Sequence, residues 1–189
     1  MIAGHFGFAA AVKAREPEAP LWALMLATQW LDVVFVPLFL AHIETLEPLG
    51  KGGYGQAIIH ANYTHSLLGA ALLAIVFGAF FAWRWGRRLG LMLAAVVFSH
   101  WLLDLLVHRP DLPLLPGGGG GVRLGIGLWR TPAAAAATEL GLVLLGAWLY
   151  WRATLRLTPP PSNRRPAHLA AGVLLASGLL TLGLDLAGL

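Results

Sequence analysis

There is no cysteine in this chain, which excludes both a disulfide framework and a thiolate metal site. Charge is nearly as scarce. Asp, Glu, Lys and Arg make up 12% of the 189 residues, about half the share of a soluble domain. So few polar side chains cannot cover a water-exposed surface. Strand-like alternation is missing too: the apolar stretches are continuous in Leu and Ala, which argues against a transmembrane barrel. No internal repeat is visible. The thirteen basic residues form short clusters between apolar runs, with no aromatic-rich basic groove, so no nucleic-acid partner is expected.

What is present is hydrocarbon. Hydrophobic residues are 58% of the chain and the mean hydropathy is +0.71. A span needs roughly 20 apolar residues, and five stretches qualify: Leu21 to His42, Ala57 to Trp83, Leu89 to His108, Pro132 to Trp151 and Leu169 to Ala187. The opening run, Ile2 to Val12, is too short to span upright. No basic residue precedes it, and Lys13 and Arg15 follow it, the wrong polarity for a secretory signal. It is read as a retained helix that spans at a tilt, re-enters or lies at the interface. The expected fold is an all-α polytopic membrane helix bundle forming one integral domain, residues 1–189.

The connections set the topology. Nine basic residues, among them Lys13, Arg84, Arg88, Arg152 and Arg165, fall on one side; four, Lys51, Arg109, Arg123 and Arg130, fall on the other. The positive-inside rule puts the nine in the cytoplasm. The loops 43–56 and 109–130, the second with three prolines and the run Gly117–Gly121, then face outward. This predicts a multi-pass membrane protein with its bilayer as first partner. The oligomeric state is left open.

Inside these apolar runs lie ionisable residues, which are costly in a membrane and so point to function. His100, Asp104 and His108 are spaced i, i+4, i+8 and fall within ~80° of one helix face. Two imidazoles and a carboxylate on one stripe suit a divalent metal, with zinc the first choice. The bland alternative is a hydrogen-bonded polar stripe against another helix. His60 and His65 are ~140° apart on a helix and cannot share a face; His65 is the better ligand, and His60 is a loop or entry residue able to approach substrate. Asp32 sits near the middle of its run, with Thr28 and Gln29 on its face and Pro37 expected to kink the helix close by. Glu139 follows the small-residue run Ala133–Ala137, and His5 lies between Gly4 and Phe6.

Depth groups them. On this topology His65, His100, Asp104, His108, Glu139, Asp32 and His5 all lie in the outer half or near the midplane, with Glu139 ~12 Å from the outer end. Asp185, at the outer end of the last helix, reads as interfacial. The expected ligands are His65, His100, Asp104 and His108, with His5 and Asp32 completing one or two sites. Glu139 is the expected general base or a further ligand, Asp104 belongs to the catalytic set, and Arg109 is placed to hold a phosphate or carboxylate oxygen. The alternative is a transporter relaying protons or metal ions through the same groups, although no pair of broken, inverted repeats supports it.

The motifs His60-x-x-x-Thr64-His65-Ser66-Leu67-Leu68 and Ser99-His100-x-x-Leu103-Asp104 resemble those of bacterial inner-membrane metal-dependent hydrolases, often labelled LexA-regulated. The stretch His108-Arg109-Pro110-Asp111-Leu112-Pro113-Leu114, then Gly125-x-Gly127-Leu128-Trp129 and Glu139, looks like a subgroup of such proteins, with Gly4-His5 and Asp32 in matching places. The resemblance runs to about Trp151. It implies a metal and hydrolysis of a lipid or lipid-linked ester. A looser similarity to phospholipase C ligand patterns extends that class to phosphoesters.

Overall fold

The computed structural model describes residues 1–50, 53–117 and 121–188. Lys51 and most of the glycine run Gly117–Gly121 lie outside the described residues. Seven helices follow in order: α1 (Ile2–Arg15), α2 (Leu21–Thr28), α3 (Trp30–Leu40), α4 (Leu67–Trp85), α5 (Arg87–Val107), α6 (Pro132–Leu157) and α7 (Arg165–Ala187). The fold is an all-α bundle, as expected. Helices α4 to α7 are each long and apolar enough to cross a membrane, and the bent pair α2–α3 makes a fifth candidate span, so the chain is a multi-pass membrane protein.

Two small antiparallel hairpins were not expected. Strand β1 (Thr45–Pro48) pairs with β2 (Ala57–His60), Thr45 opposite His60, and β3 (Leu112–Pro113) pairs with β4 (Arg123–Leu124). The run from Ala57 is therefore not the start of a helix. Its β-branched Ile58-Ile59 pair suits a strand, and the helix begins only where Ser66 caps it, accepting from the Gly69 amide at 3.0 Å. The run from Leu21 is not one helix either. It breaks at Gln29 with a 50° bend, while Pro37 stays inside α3. The break has a local and a tertiary cause. The Thr28 hydroxyl bonds back to the Met25 carbonyl at 2.9 Å, which bends helices, and the Thr28 carbonyl is taken by His100.

Helix α1 has 14 residues, about 21 Å of helix, too short for the roughly 30 Å hydrocarbon layer. It is nonetheless interior: Ala3, Gly4, His5, Gly7, Ala9 and Ala10 are buried. Its main neighbour is α6. A Cβ on Gly7 would sit 2.4 Å from the Leu142 carbonyl oxygen, and one on Gly146 2.0 Å from that of Gly7. Backbone contact through these two glycines seats α1 deep against α6, the small-residue packing of membrane helices. The partner pair is α4 with α5, around Ala70, Ala74, Phe77 and Leu93. Helix α6 runs on past Trp151 and carries Arg152 and Arg156 on its last turns.

Candidate metal centre

Three helices, α1, α3 and α5, together with the residue before the α4 cap and the residue that ends α5, bring six polar side chains together at the hairpin end of the bundle. Asp104, one turn from the end of α5, is the hub. Its Oδ1 lies 3.2 Å from His5 Nε2. Its Oδ2 lies 3.0 Å from His100 Nε2, 3.6 Å from His108 Nε2 and 3.7 Å from His65 Nε2. His65, ahead of α4, is 3.3 Å from His100 Nε2 and 3.3 Å from Asp32 Oδ1 on the first turn of α3. Asp32 Oδ1 is 3.7 Å from His100 Nε2. His5, His65, His100, Asp104 and His108 are buried, whereas the Asp32 side chain is 37% exposed.

These distances can be tested against a metal. A tetrahedral ion with bonds of 2.0–2.1 Å holds its ligand atoms about 3.3 Å apart. Five edges among Asp32 Oδ1, His65 Nε2, His100 Nε2 and Asp104 Oδ2, all but the one between the two carboxylates, run from 3.0 to 3.7 Å. Two triads, His5–His100–Asp104 and Asp32–His65–His100, each offer ligand atoms within 4.8 Å of one another. The His/Asp groups can therefore hold a metal ion.

The outer partners sharpen this. The Thr28 carbonyl can only accept, so at 2.6 Å it accepts a hydrogen bond from His100 Nδ1–H. Asp111 Oδ1 accepts from His108 Nδ1 at 2.9 Å. The Thr64 hydroxyl donates to Glu44 Oε2 at 2.8 Å and so accepts from His65 Nδ1, also at 2.8 Å. Each Nδ1 thus carries hydrogen, and each Nε2 presents its lone pair to the centre, the arrangement by which proteins orient metal-binding imidazoles. Glu44 is fully buried, and its Oε1 also accepts from the Tyr63 and Thr64 amides at 2.7 and 2.9 Å. Asp111 Oδ2 accepts from the Ile59 amide at 3.1 Å, tying the first hairpin to the centre. His5 differs: its ring stacks on His100 at 3.9 Å and its buried Nδ1 has no hydrogen-bond partner.

Sequence reasoning gave Thr28, Thr64, Glu44 and Asp111 no such roles. The spacing His108-x-x-Asp111 was a visible signal; Glu44 had none, because its contact is made across a loop.

A cavity of about 330 Å³ opens onto the cluster, lined by Asp32, His65, Asp104, His108, Phe35 and Ile59 among others. Glu139 is not in it. It lines an adjoining cavity of about 310 Å³ with Tyr54 and Asp185, and Trp129, Met1 and Ile2 border both spaces. Both Glu139 oxygens are engaged, Oε2 by the Gly4 amide at 3.2 Å and Oε1 by the Tyr54 hydroxyl at 2.5 Å. Burial and the carboxylate push the Tyr54 phenol well above its usual range, so it stays a donor. Glu139 therefore clamps the α1 turn that carries His5. Asp185, expected at the interface, is half-buried on the same cavity.

The two expected substrate contacts are also placed elsewhere. The Arg109 guanidinium donates to the Gly55 and Ala57 carbonyls and pins the first hairpin. His60 is on β2, 3.2 Å from Glu47 Oε2 on the exposed side of that hairpin. In comparisons with known proteins the chain matches no family model, no curated protein and no solved structure.

Proposed function

We propose that this chain is a membrane-embedded metal-dependent hydrolase acting on a lipid or lipid-linked ester, phosphoesters included. The observation that carries the reading is the convergence of three imidazole Nε2 atoms on Asp104 Oδ2, with every corresponding Nδ1 fixed by an outer partner. Imidazole nitrogen and carboxylate oxygen donors gathered at one point suit zinc. His65, His100, Asp104 and His108 would hold the ion, with His5 behind them. When bound, a divalent cation polarises the scissile group and acidifies a water. Asp32 reaches the same point from the cavity side and is the exposed carboxylate of the set, so it is placed to take that water's proton. Phe35 and Ile59 offer an apolar wall to a lipid substrate.

The purified protein is expected to retain at least one divalent transition metal per chain by elemental analysis. Turnover of some member of a panel of fluorescent phospholipids and lipid esters should vanish with chelator and return with zinc. Absence of metal after both purification and reconstitution would remove the hydrolase reading and favour a proton relay through the same imidazoles.

The family resemblance implies a bacterial inner membrane, and the nine-to-four division of basic residues supports an orientation with the metal cavity toward the periplasm. Because the chain has no cysteine, Leu115→Cys and Ser162→Cys each give a single reactive site. An impermeant thiol reagent is expected to label Leu115→Cys in intact spheroplasts and Ser162→Cys only after lysis. The opposite pattern would invert the topology.

A further inference from the structure

Helices α1, α2, α6 and α7 enclose a second, apolar space that the hydrolase reading does not use. It is a groove of about 500 Å³, floored by Phe6 of α1 and Tyr150 of α6 and walled by Leu21 and Met25 of α2 and Val173 and Gly178 of α7. It is open to the side: Val173 is 65% exposed although α7 is a spanning helix. Along α7 it extends from Leu169 to Gly178, about 14 Å of helix rise.

The groove and the metal cavity lie along the same helix faces. Phe6 lines the groove, and Ile2, four residues earlier on α1, lines the metal cavity. Met25 lines the groove, and Gln29, four residues later at the bend, lines the metal cavity. Residues four apart are stacked neighbours on a helix face. The Gln29 side-chain amide donates to the Ile2 carbonyl at 3.3 Å, which marks where the two spaces meet.

The geometry points to this groove as the seat of a fatty acyl chain, belonging to a membrane lipid whose headgroup end lies in the metal cavity. Calling that lipid the substrate rests on the hydrolase reading; the binding itself does not. The medium beside the groove is hydrocarbon, where an extended peptide would leave backbone groups unpaired. A helix is too large: 14 Å of helix at its 10–12 Å diameter occupies on the order of 1,000 Å³, twice the groove. An alkyl chain brings no polar group and fits a narrow apolar slot. The 50° break between α2 and α3 helps shape the junction, because it places Gln29 rather than a further helical turn beside Ile2.

The test uses the full chain in vesicles of phosphatidylcholine and phosphatidylglycerol, doped with phosphatidylcholine bearing a diazirine either at the acyl terminus or next to the glycerol. Mass spectrometry locates the adducts. The terminal probe should label Phe6, Met25 and Val173 about tenfold more than Leu72 and Val76 of α4, which are just as open to lipid. The glycerol-proximal probe should label Phe35 and Ile59. Ser177→Trp, which fills the groove from an exposed position on its wall, should abolish the excess at the groove and leave α4 labelling unchanged. Ser177→Ala is its folding control and should keep the wild-type pattern. Equal labelling of groove and α4 in the wild type would overturn the proposal, as would a glycerol-proximal probe that misses the metal cavity. The expected labelling together with no turnover of any lipid ester would support the groove and remove the hydrolase reading.

Discussion

Asp104→Ala is expected to strip the bundle of its metal and to unfold it at markedly lower temperature. Its two oxygens face four imidazoles, those of His5, His65, His100 and His108. Removing a primary ligand costs more than removing an outer partner, for which 10- to 100-fold losses of metal affinity are usual. Metal content by elemental analysis should fall below about one-tenth of wild type. Stability should fall as well, because ligands couple metal binding to folding and four buried imidazoles lose the carboxylate they share. Breaking a buried ion pair by removing one partner costs about 3–5 kcal/mol, the scale for a carboxylate removed from beside a bound cation. Unfolding followed by tryptophan fluorescence, with and without added zinc, separates the two effects: zinc should raise the midpoint of the wild type and not of the variant. The matched control is Glu47→Ala, which removes the partner of His60 on the exposed hairpin. It should keep its metal and change stability by less than about 1 kcal/mol. Wild-type metal content in Asp104→Ala would show that the ion is held elsewhere.

That Asp104 could be identified from sequence at all reflects where it sits. His100, Asp104 and His108 share one regular helix, so fixed angular spacing alone puts them on one face. His5, Asp32 and His65 come from three other parts of the chain, and only their common depth linked them. The same depth argument also gathered Glu139, and there it reached its limit. Depth constrains position along the membrane normal but not around it, and Glu139 faces Gly4 and Tyr54 across the adjoining cavity. The bend at Gln29 was illegible for a related reason. Pro37 is the local signal for a kink, but the break is fixed by a tertiary bond from His100 to the Thr28 carbonyl, which no window of α2 contains. Likewise the apolar run from Ala57 reads as helix by hydropathy, while pairing with Thr45–Pro48 makes it a strand. Arg109 lies where an outer anion site was expected, and its Nη1 donates to the carbonyls of Gly55 and Ala57.

Asp32→Asn is expected to lower turnover by about 100-fold or more, the scale of a lost general base, while at least half of the metal remains. Asp32 meets the centre from the rim of the cavity and with one oxygen only, 3.3 Å from His65 Nε2 and 3.7 Å from His100 Nε2. Its second oxygen is free to accept a proton from water in the cavity, whereas Asp104 has both oxygens committed to histidines. Asparagine keeps the shape and one acceptor oxygen and loses only the basic one. Glu139→Gln is the informative comparison, because sequence position alone favours Glu139 as the base. Its amide must face either the Gly4 N–H or the Tyr54 hydroxyl with a donor in place of an acceptor. A mispaired buried group of this kind costs about 1–3 kcal/mol, so Glu139→Gln should show mainly a lower unfolding midpoint and a turnover change of less than about tenfold. The Tyr54→Phe variant removes one of the two clamps and should reproduce the milder part of that loss. The pair of measurements that decides the matter is single-turnover rate and metal content on the same preparation. A large loss of turnover in Glu139→Gln with full metal, beside near-normal turnover in Asp32→Asn, would transfer the proton-accepting role to Glu139 and require the wall formed by Met1, Ile2 and Trp129 to open during the reaction. A parallel loss of metal and turnover in Asp32→Asn would instead make Asp32 a ligand beside His65 and His100, whose Nε2 atoms it already faces.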